Sequence, residues 1–149
     1  MLRQHNADRR RRRSYDRDIA THFLLVHIAE EFGLESFVIS DPDGRLQATS
    51  TNSPSGDEVS RVLAMYSPAL TGSSQTPRDV LLDTLEHEIQ SIGVEWTQDE
   101  VTVREFHAEG QRMLLTTIGE PGTMREVSIY KAIMGVRRIW RATSERQAA

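Results

Sequence analysis

Apolar residues first recur with helical spacing between Asp18 and Phe32, where Ile19, Phe23, Leu24, Leu25, Ile28, Ala29 and Phe32 cover more than one stripe. A helix apolar that far round is expected to be buried on two sides. Gly33 stands where a helix-ending glycine belongs. The period then changes. Ser36-Phe37-Val38-Ile39-Ser40 reads as a strand, Asp41-Pro42-Asp43-Gly44 as a turn, and Arg45 to Thr49 as a second strand. Pro42 presets φ at the second turn position, Gly44 tolerates a positive φ, and Leu46 and Ala48 alternate with polar neighbours.

Helical spacing returns after Ser55-Gly56-Asp57-Glu58, a sequence with the form of a capping box. Val59, Val62, Leu63, Tyr66 and Leu70 mark one face of the helix behind it, which Pro68 must kink or end. Gly72-Ser73-Ser74-Gln75 is a break, and Thr76-Pro77 opens a second helix with the stripe Leu81, Leu85, Ile89 and Ile92. Val94 to Thr97 reads as a short strand. Val101 to Ala108 and Arg112 to Ile118 then form a hairpin around Glu109-Gly110-Gln111, with a bulge or a strand end allowed where alternation breaks at Arg104-Glu105. Thr123-Met124-Arg125-Glu126 is another capping box, ahead of a helix carrying Val127, Tyr130, Ile133, Met134 and Trp140 along one side. Hairpins without strand–helix–strand crossovers predict an α+β domain: an antiparallel sheet of four to five strands with helices on its faces.

Length and composition narrow the class. The 149 residues fit one domain, placed at 18–142, and no stretch approaches the run of about 18 apolar residues that a membrane-spanning helix needs. Arginines near the start have no apolar run behind them, so they do not read as a secretory signal. The absence of cysteine excludes disulfides, zinc–thiolate sites and thiol nucleophiles, and it fits a cytoplasmic protein. Residues 1–17 carry seven arginines against Asp8 and Asp16, a local charge of +5, while the remainder stands at −9. That first segment lacks apolar periodicity and reads as a disordered, arginine-rich arm; residues 143–149 read as a disordered tail. Seventeen arginines against the single Lys131 point to a GC-rich genome, which makes arginine the default cation here.

Candidate chemistry is sparse. There is no phosphate loop, since Lys131 has no glycine-rich approach, and Gly119-Glu120-Pro121-Gly122 reads as a turn. No G-x-S-x-G elbow frames a serine. His87-Glu88 lacks the second histidine of a zinc helix, and Asp79, Asp83 and His87, although on one helical face, read as a solvated acidic surface. Asp41-x-Asp43-Gly44 has the opening of a calcium loop but not its later ligands. Glu105, His107 and Glu109 share one face of a strand without a nucleophile beside them. No catalytic residue, metal ligand or cofactor site is assigned, and the expectation is a non-enzymatic, protein-binding function. Arg9, Arg10, Arg11, Arg12 and Arg13 could clamp an anionic partner, which makes a nucleic-acid-associated protein the alternative reading. The acidic body argues against it. A profilin-like small-ligand sensor is a third reading.

The order of elements from Asp18 onward resembles the Roadblock/dynein-light-chain family. The resemblance is carried by the hairpin Val38-Ile39-Ser40-Asp41-Pro42-Asp43-Gly44-Arg45-Leu46, the amphipathic helix that follows, the further strands and the closing helix. It implies a cytoplasmic homodimer that binds signalling proteins, with small Ras-like GTPases as the partners of bacterial members. It further implies that the central helix (Val59, Val62, Leu63, Tyr66) and the strand after it (Val101, Val103, Phe106) pair across a two-fold axis. Pro68 and the break from Gly72 to Thr76 depart from the single longer helix of the family.

Overall fold

In the computed structural model the backbone is described for residues 2–34, 36–94 and 101–148, and side chains for 16–34, 36–72, 74–94 and 101–145. The elements are α1 (Leu2–Phe32), β1 (Ser36–Ser40), β2 (Leu46–Thr49), α2 (Pro54–Pro68), a wide π-type turn (Ala69–Ser73), α3 (Arg78–Ile92), β3 (Val101–Ala108), β4 (Gln111–Ile118) and α4 (Thr123–Ala148). The four strands form one antiparallel sheet in the order β2-β1-β4-β3. The chain is therefore an α+β protein with two helices on each face of the sheet.

Strand alternation divides the core in two. Phe37 and Ile39 of β1, Met113 and Leu115 of β4, and Phe106 and Ala108 of β3 point to one face, where Leu25, Ile28 and Ala29 of α1 and Ile129, Ala132, Val136 and Trp140 of α4 cover them. Val38, Ile118 and Val101 point the other way, beneath Val59, Leu63 and Ala64 of α2 and Leu82, Leu85 and Ile89 of α3. Every residue of β1 is buried, as befits a central strand covered on both sides.

Local chemistry fixes the connections. In the first hairpin, Asp41 Oδ1 accepts from the backbone N–H groups of Asp43 and Arg45, both at 2.9 Å, so turn chemistry occupies this carboxylate. Gly44 takes φ +84°, and a β-carbon there would lie 3.2 Å from the Ala64 carbonyl, so the turn rests directly on the α2 backbone. The second hairpin closes through Glu109 (φ +51°) and Gly110 (φ +76°), two left-handed residues as a two-residue turn matched to strand twist requires. Gly33 (φ +65°) ends α1 while Leu34 N–H donates to the Ala29 carbonyl.

Several sequence expectations are corrected. Where an arm at 1–17 and a tail at 143–149 were expected, α1 begins at Leu2 and α4 runs on to Ala148. Arginine, glutamine, glutamate and alanine are good helix formers, and extending an existing helix avoids the cost of nucleation. The cap of α2 is Ser53, whose hydroxyl accepts from Gly56 N–H, with Pro54 in the first turn; the box from Ser55 is displaced into the helix. Thr76 does not cap α3, which starts at Arg78 without a side-chain cap. Glu126 is drawn away from its box by Arg104, 2.8 Å distant. β3 and β4 stay in register throughout, so there is no bulge at Arg104-Glu105. Alternation breaks there with both Arg104 and Glu105 exposed, Glu105 being paired to Arg112 at 2.8 Å. The strand expected at Val94 to Thr97 falls largely outside the described residues.

Candidate interaction surfaces

The residues singled out for a dimer interface do not form one surface. Val59, Leu63 and Val101 are buried in the core under α2 and α3, and Phe106 is buried on the opposite face of the sheet. The helical and strand periods that made them conspicuous are those that put them inside. Val62, Tyr66 and Val103 are half-buried at the margin of the α2–α3 layer. Tyr66 donates its hydroxyl to Glu88 of α3 at 2.7 Å. Its phenol is pushed up from 10.0 to about 12 by burial first, then by the hydrogen bond to Glu88 and the charge of that carboxylate.

The candidate chemical groups are dispersed as well. Asp79, Asp83 and His87 lie on the exposed side of α3, and no group of three or more His, Asp or Glu able to hold a metal ion occurs among the described residues. Glu105 is engaged by Arg112, His107 is exposed, and Glu109 occupies the turn. Arg9 to Arg13 fall within α1, and their side chains lie outside the described set.

The two edges of the sheet differ. β2 is four residues long, slips register between Ile39 and Ser40 of its partner, and has its Thr49 carbonyl occupied by His22 Nδ1 of α1 at 2.6 Å. Since a carbonyl only accepts, His22 carries its proton on Nδ1. A short, bulged, covered edge is poorly suited to pairing with another chain. β3 is eight residues long and free of bulges, and no described strand pairs with its outer side. The two-residue turn makes Ala108 and Gln111 a hydrogen-bonded pair, so the backbone groups of Val101, Val103, Glu105 and His107 point outward. Two guanidiniums agree with that assignment: Arg137 Nε donates to the His107 carbonyl at 2.9 Å, and Arg104 Nη1 to the Val103 carbonyl at 3.2 Å. The four outward N–H groups belong to residues on the face covered by α2 and α3.

A second surface lies on the outside of the α1–α4 layer, and the sequence pattern placed it wrongly. Of the stripe expected to be core in the last helix, Trp140 is buried and Ile133 partly so, but Val127 (38% exposed), Tyr130 (65%) and Met134 (40%) face outward with Met124 (63%). The inward side is made of Ser128, Ile129, Ala132, Gly135, Val136 and Thr143. Small residues are needed there because α4 lies close to α1: a β-carbon on Gly135 would sit 2.6 Å from Leu24 Cδ2. The two helices run antiparallel, tied by Lys131–Glu31 at 3.2 Å near one end and by Arg17 stacked 4.3 Å over the Trp140 ring near the other. Phe23 of α1 is also 64% exposed, where two-sided burial was expected. Apolar residues occur almost all round α4, so their spacing alone does not select the buried face; large residues drew attention that the small ones needed.

No protein-family model, curated protein or solved structure matches the chain.

Proposed function

We propose that this chain is a non-catalytic adaptor that acts as a homodimer and binds other proteins, with a small Ras-like GTPase as the partner class implied by the Roadblock resemblance. The observation that carries the reading is the contrast between the sheet edges: β2 is short, bulged and covered, while β3 offers an unbroken row of outward backbone groups. Pairing β3 with its copy about an axis normal to the sheet joins two four-stranded sheets into one and keeps equivalent faces together.

Side-chain charge selects the register. Centring the pair on Arg104 or on Glu105 sets like charges directly opposite, which is destabilising. Centring it on Val103 sets Val103 against itself, Arg104 against Thr102 and Glu105 against Val101, with no like charges opposed. The bonds from Arg104 and Arg137 to edge carbonyls are made by exposed or half-exposed side chains, so replacing them with strand pairing costs little.

The test is Val103→Pro. It deletes an outward N–H and leaves the β4 ladder whole, a site where an edge strand tolerates proline. Light scattering at micromolar concentration is expected to give at least twice 16.9 kDa for the full chain, and half the parent mass for the variant. A mass unchanged by Val103→Pro, in a protein whose circular dichroism matches the parent, refutes pairing through this edge.

A further inference from the structure

The end of the α1–α4 layer where α1 starts and α4 finishes concentrates the positive charge of the molecule. Residues 2–17 and 137–148 hold eleven arginines against Asp8, Asp16 and Glu145, a charge of +8, which leaves −12 for the rest of the chain. The antiparallel packing of the two helices brings these segments together, with Arg17 stacked 4.3 Å over the Trp140 ring. Helix electrostatics does not ask for this, since the arginines of α1 stand toward the positive end of its dipole. Nor are the described arginines of this pole held in ion pairs. Arg104, Arg112 and Lys131 each face a glutamate elsewhere, whereas Arg17, Arg138 and Arg141 have no carboxylate partner among the described residues. A groove of about 230 Å³ lies between the helices at the same pole. Ala20, Ile139 and Ala142, each half-buried, give it a mostly apolar surface; Arg17 and Arg138 stand on its lining, and Asp16 is the one carboxylate there. Arg17 Nε is buried with no hydrogen-bond partner among the described residues, an unsatisfied donor beside an apolar recess.

We propose that this groove binds an acidic peptide segment of a partner protein. One large apolar side chain of the segment seats against Ala20, Ile139 and Ala142, and carboxylates on either side of it pair with Arg17, Arg138 and Arg141. The inference rests on the protein-binding reading above and names the partner's chemistry, but it makes no use of the β3 edge. A local positive charge is matched by a local negative one, and pairing beside an apolar wall is stronger than pairing in open water. The competing polyanions fit less well. A nucleic-acid duplex spreads its charge evenly, at about one per 1.7 Å of axis, and has no side chain to fill the groove. Where it outruns the pole it meets a body at −12 that repels it. An anionic bilayer meets the arginines but not the recess between the helices. Entry into a bilayer also needs an apolar helix face, which residues 2–17 lack.

The probes are labelled peptides of sequence Glu-Glu-X-Glu-Glu, with Leu, Phe or Trp at X, titrated with the full chain in physiological salt and read by fluorescence anisotropy. Saturable binding is expected for at least one of them. It should weaken about tenfold or more when X is Ser, the loss that follows from exposing one large apolar side chain. Replacing the glutamates by Gln should weaken it as well. Arg138→Glu, at an exposed position, should weaken it about tenfold, and Ala142→Leu should do so by filling the recess. Arg61→Glu changes net charge equally on an exposed part of α2 and should leave the affinity within about twofold. Folded protein that binds none of the three peptides overturns the inference. So does equal binding of the Ser-centred peptide, or an equal loss from Arg61→Glu and Arg138→Glu. A short DNA duplex, or vesicles of phosphatidylserine and phosphatidylcholine, bound more tightly than every peptide overturns it too and gives the pole to that polyanion. Val103→Pro keeps the two readings apart. Peptide binding in a chain whose mass ignores Val103→Pro supports this site and removes the edge-paired dimer, whereas a mass that responds, with no peptide bound, does the reverse.

Discussion

Replacing Ser67 by alanine should destabilise the chain more than replacing its partner Thr116 by valine, and removing both should cost less than removing Ser67 alone. The reason lies in which hydroxyl donates. Ser67 Oγ, fully buried in the last turn of α2, donates to the Leu63 carbonyl at 2.6 Å. Its proton is thereby committed, so in the 2.5 Å contact with Thr116 Oγ1 the threonine is the donor. Ser67→Ala leaves the Thr116 hydroxyl buried without its acceptor, at a cost of about 1–3 kcal/mol. Thr116→Val removes the donor and preserves shape, and Ser67 keeps its bond to Leu63, so the cost is about 0.5–1 kcal/mol. The double variant should lie near Thr116→Val, a coupling of roughly 1–2 kcal/mol. Urea unfolding at constant m-value measures the cycle, and each kcal/mol corresponds to about 2–4 °C in Tm for a chain this long. Additive single effects, or a costlier Thr116→Val, refute the donor assignment. Thr116 stands between Val38 and Val103 in the ladder, so the bond also locks α2 over the strand next to the proposed edge contact.

Two further outcomes are expected. Folding holds the Tyr66 phenol near 12 instead of 10.0, so the folded state favours the neutral form; that stability is whole below pH 10 and is lost as pH rises from 10 towards 12. Tyr66→Phe should flatten the alkaline fall in urea midpoint, and an unchanged pH profile would remove Glu88 and burial as its cause. Deleting residues 1–16 retains Arg17 on Trp140 and should leave the fold and the number of chains per particle unchanged. Any weak retention of duplex DNA at low salt should vanish with that segment, its log–log salt slope being roughly −4 to −5 for five neutralised phosphates. Tight binding in physiological salt that is lost on deletion would put nucleic acid ahead of a protein partner.

The hairpins were legible because their determinants are local. Asp41 and Gly44 build one turn, Glu109 and Gly110 the other, and strict alternation in β1 and β4 was not needed once the turns set the register. The stripes of α2 and α3 were legible because one large apolar face opposes an exposed polar one. Helix starts were misplaced where two capping residues compete within a few positions, as Ser53 and Ser55 do, since proline at the first turn decides between them. The outward row of α4 was not legible, because which side of an apolar helix is buried depends on how closely its neighbours approach. Gly135 against Leu24 records that approach, yet in the sequence it is one glycine in a helix. The β3 edge was half legible: Val101 and Val103 were singled out through side chains, whereas what β3 leaves unpaired by a described strand is on the backbone.

The pairing of the first helix with the last sets the order in which the molecule can be built. Residues 36–118 contain all four strands and both helices of the α2–α3 layer, so that half of the core closes on itself. The other half does not. The β3 and β4 side of that face, with Phe106, Ala108, Met113 and Leu115, lacks part of its cover until α4 emerges to dock beside an α1 made about a hundred residues earlier. Such distant contacts yield stability only after a large loop has closed, so this layer folds late. A ribosome-bound chain arrested before Thr123 therefore displays a sheet face that α1 covers only in part, a state more exposed to aggregation than the finished fold.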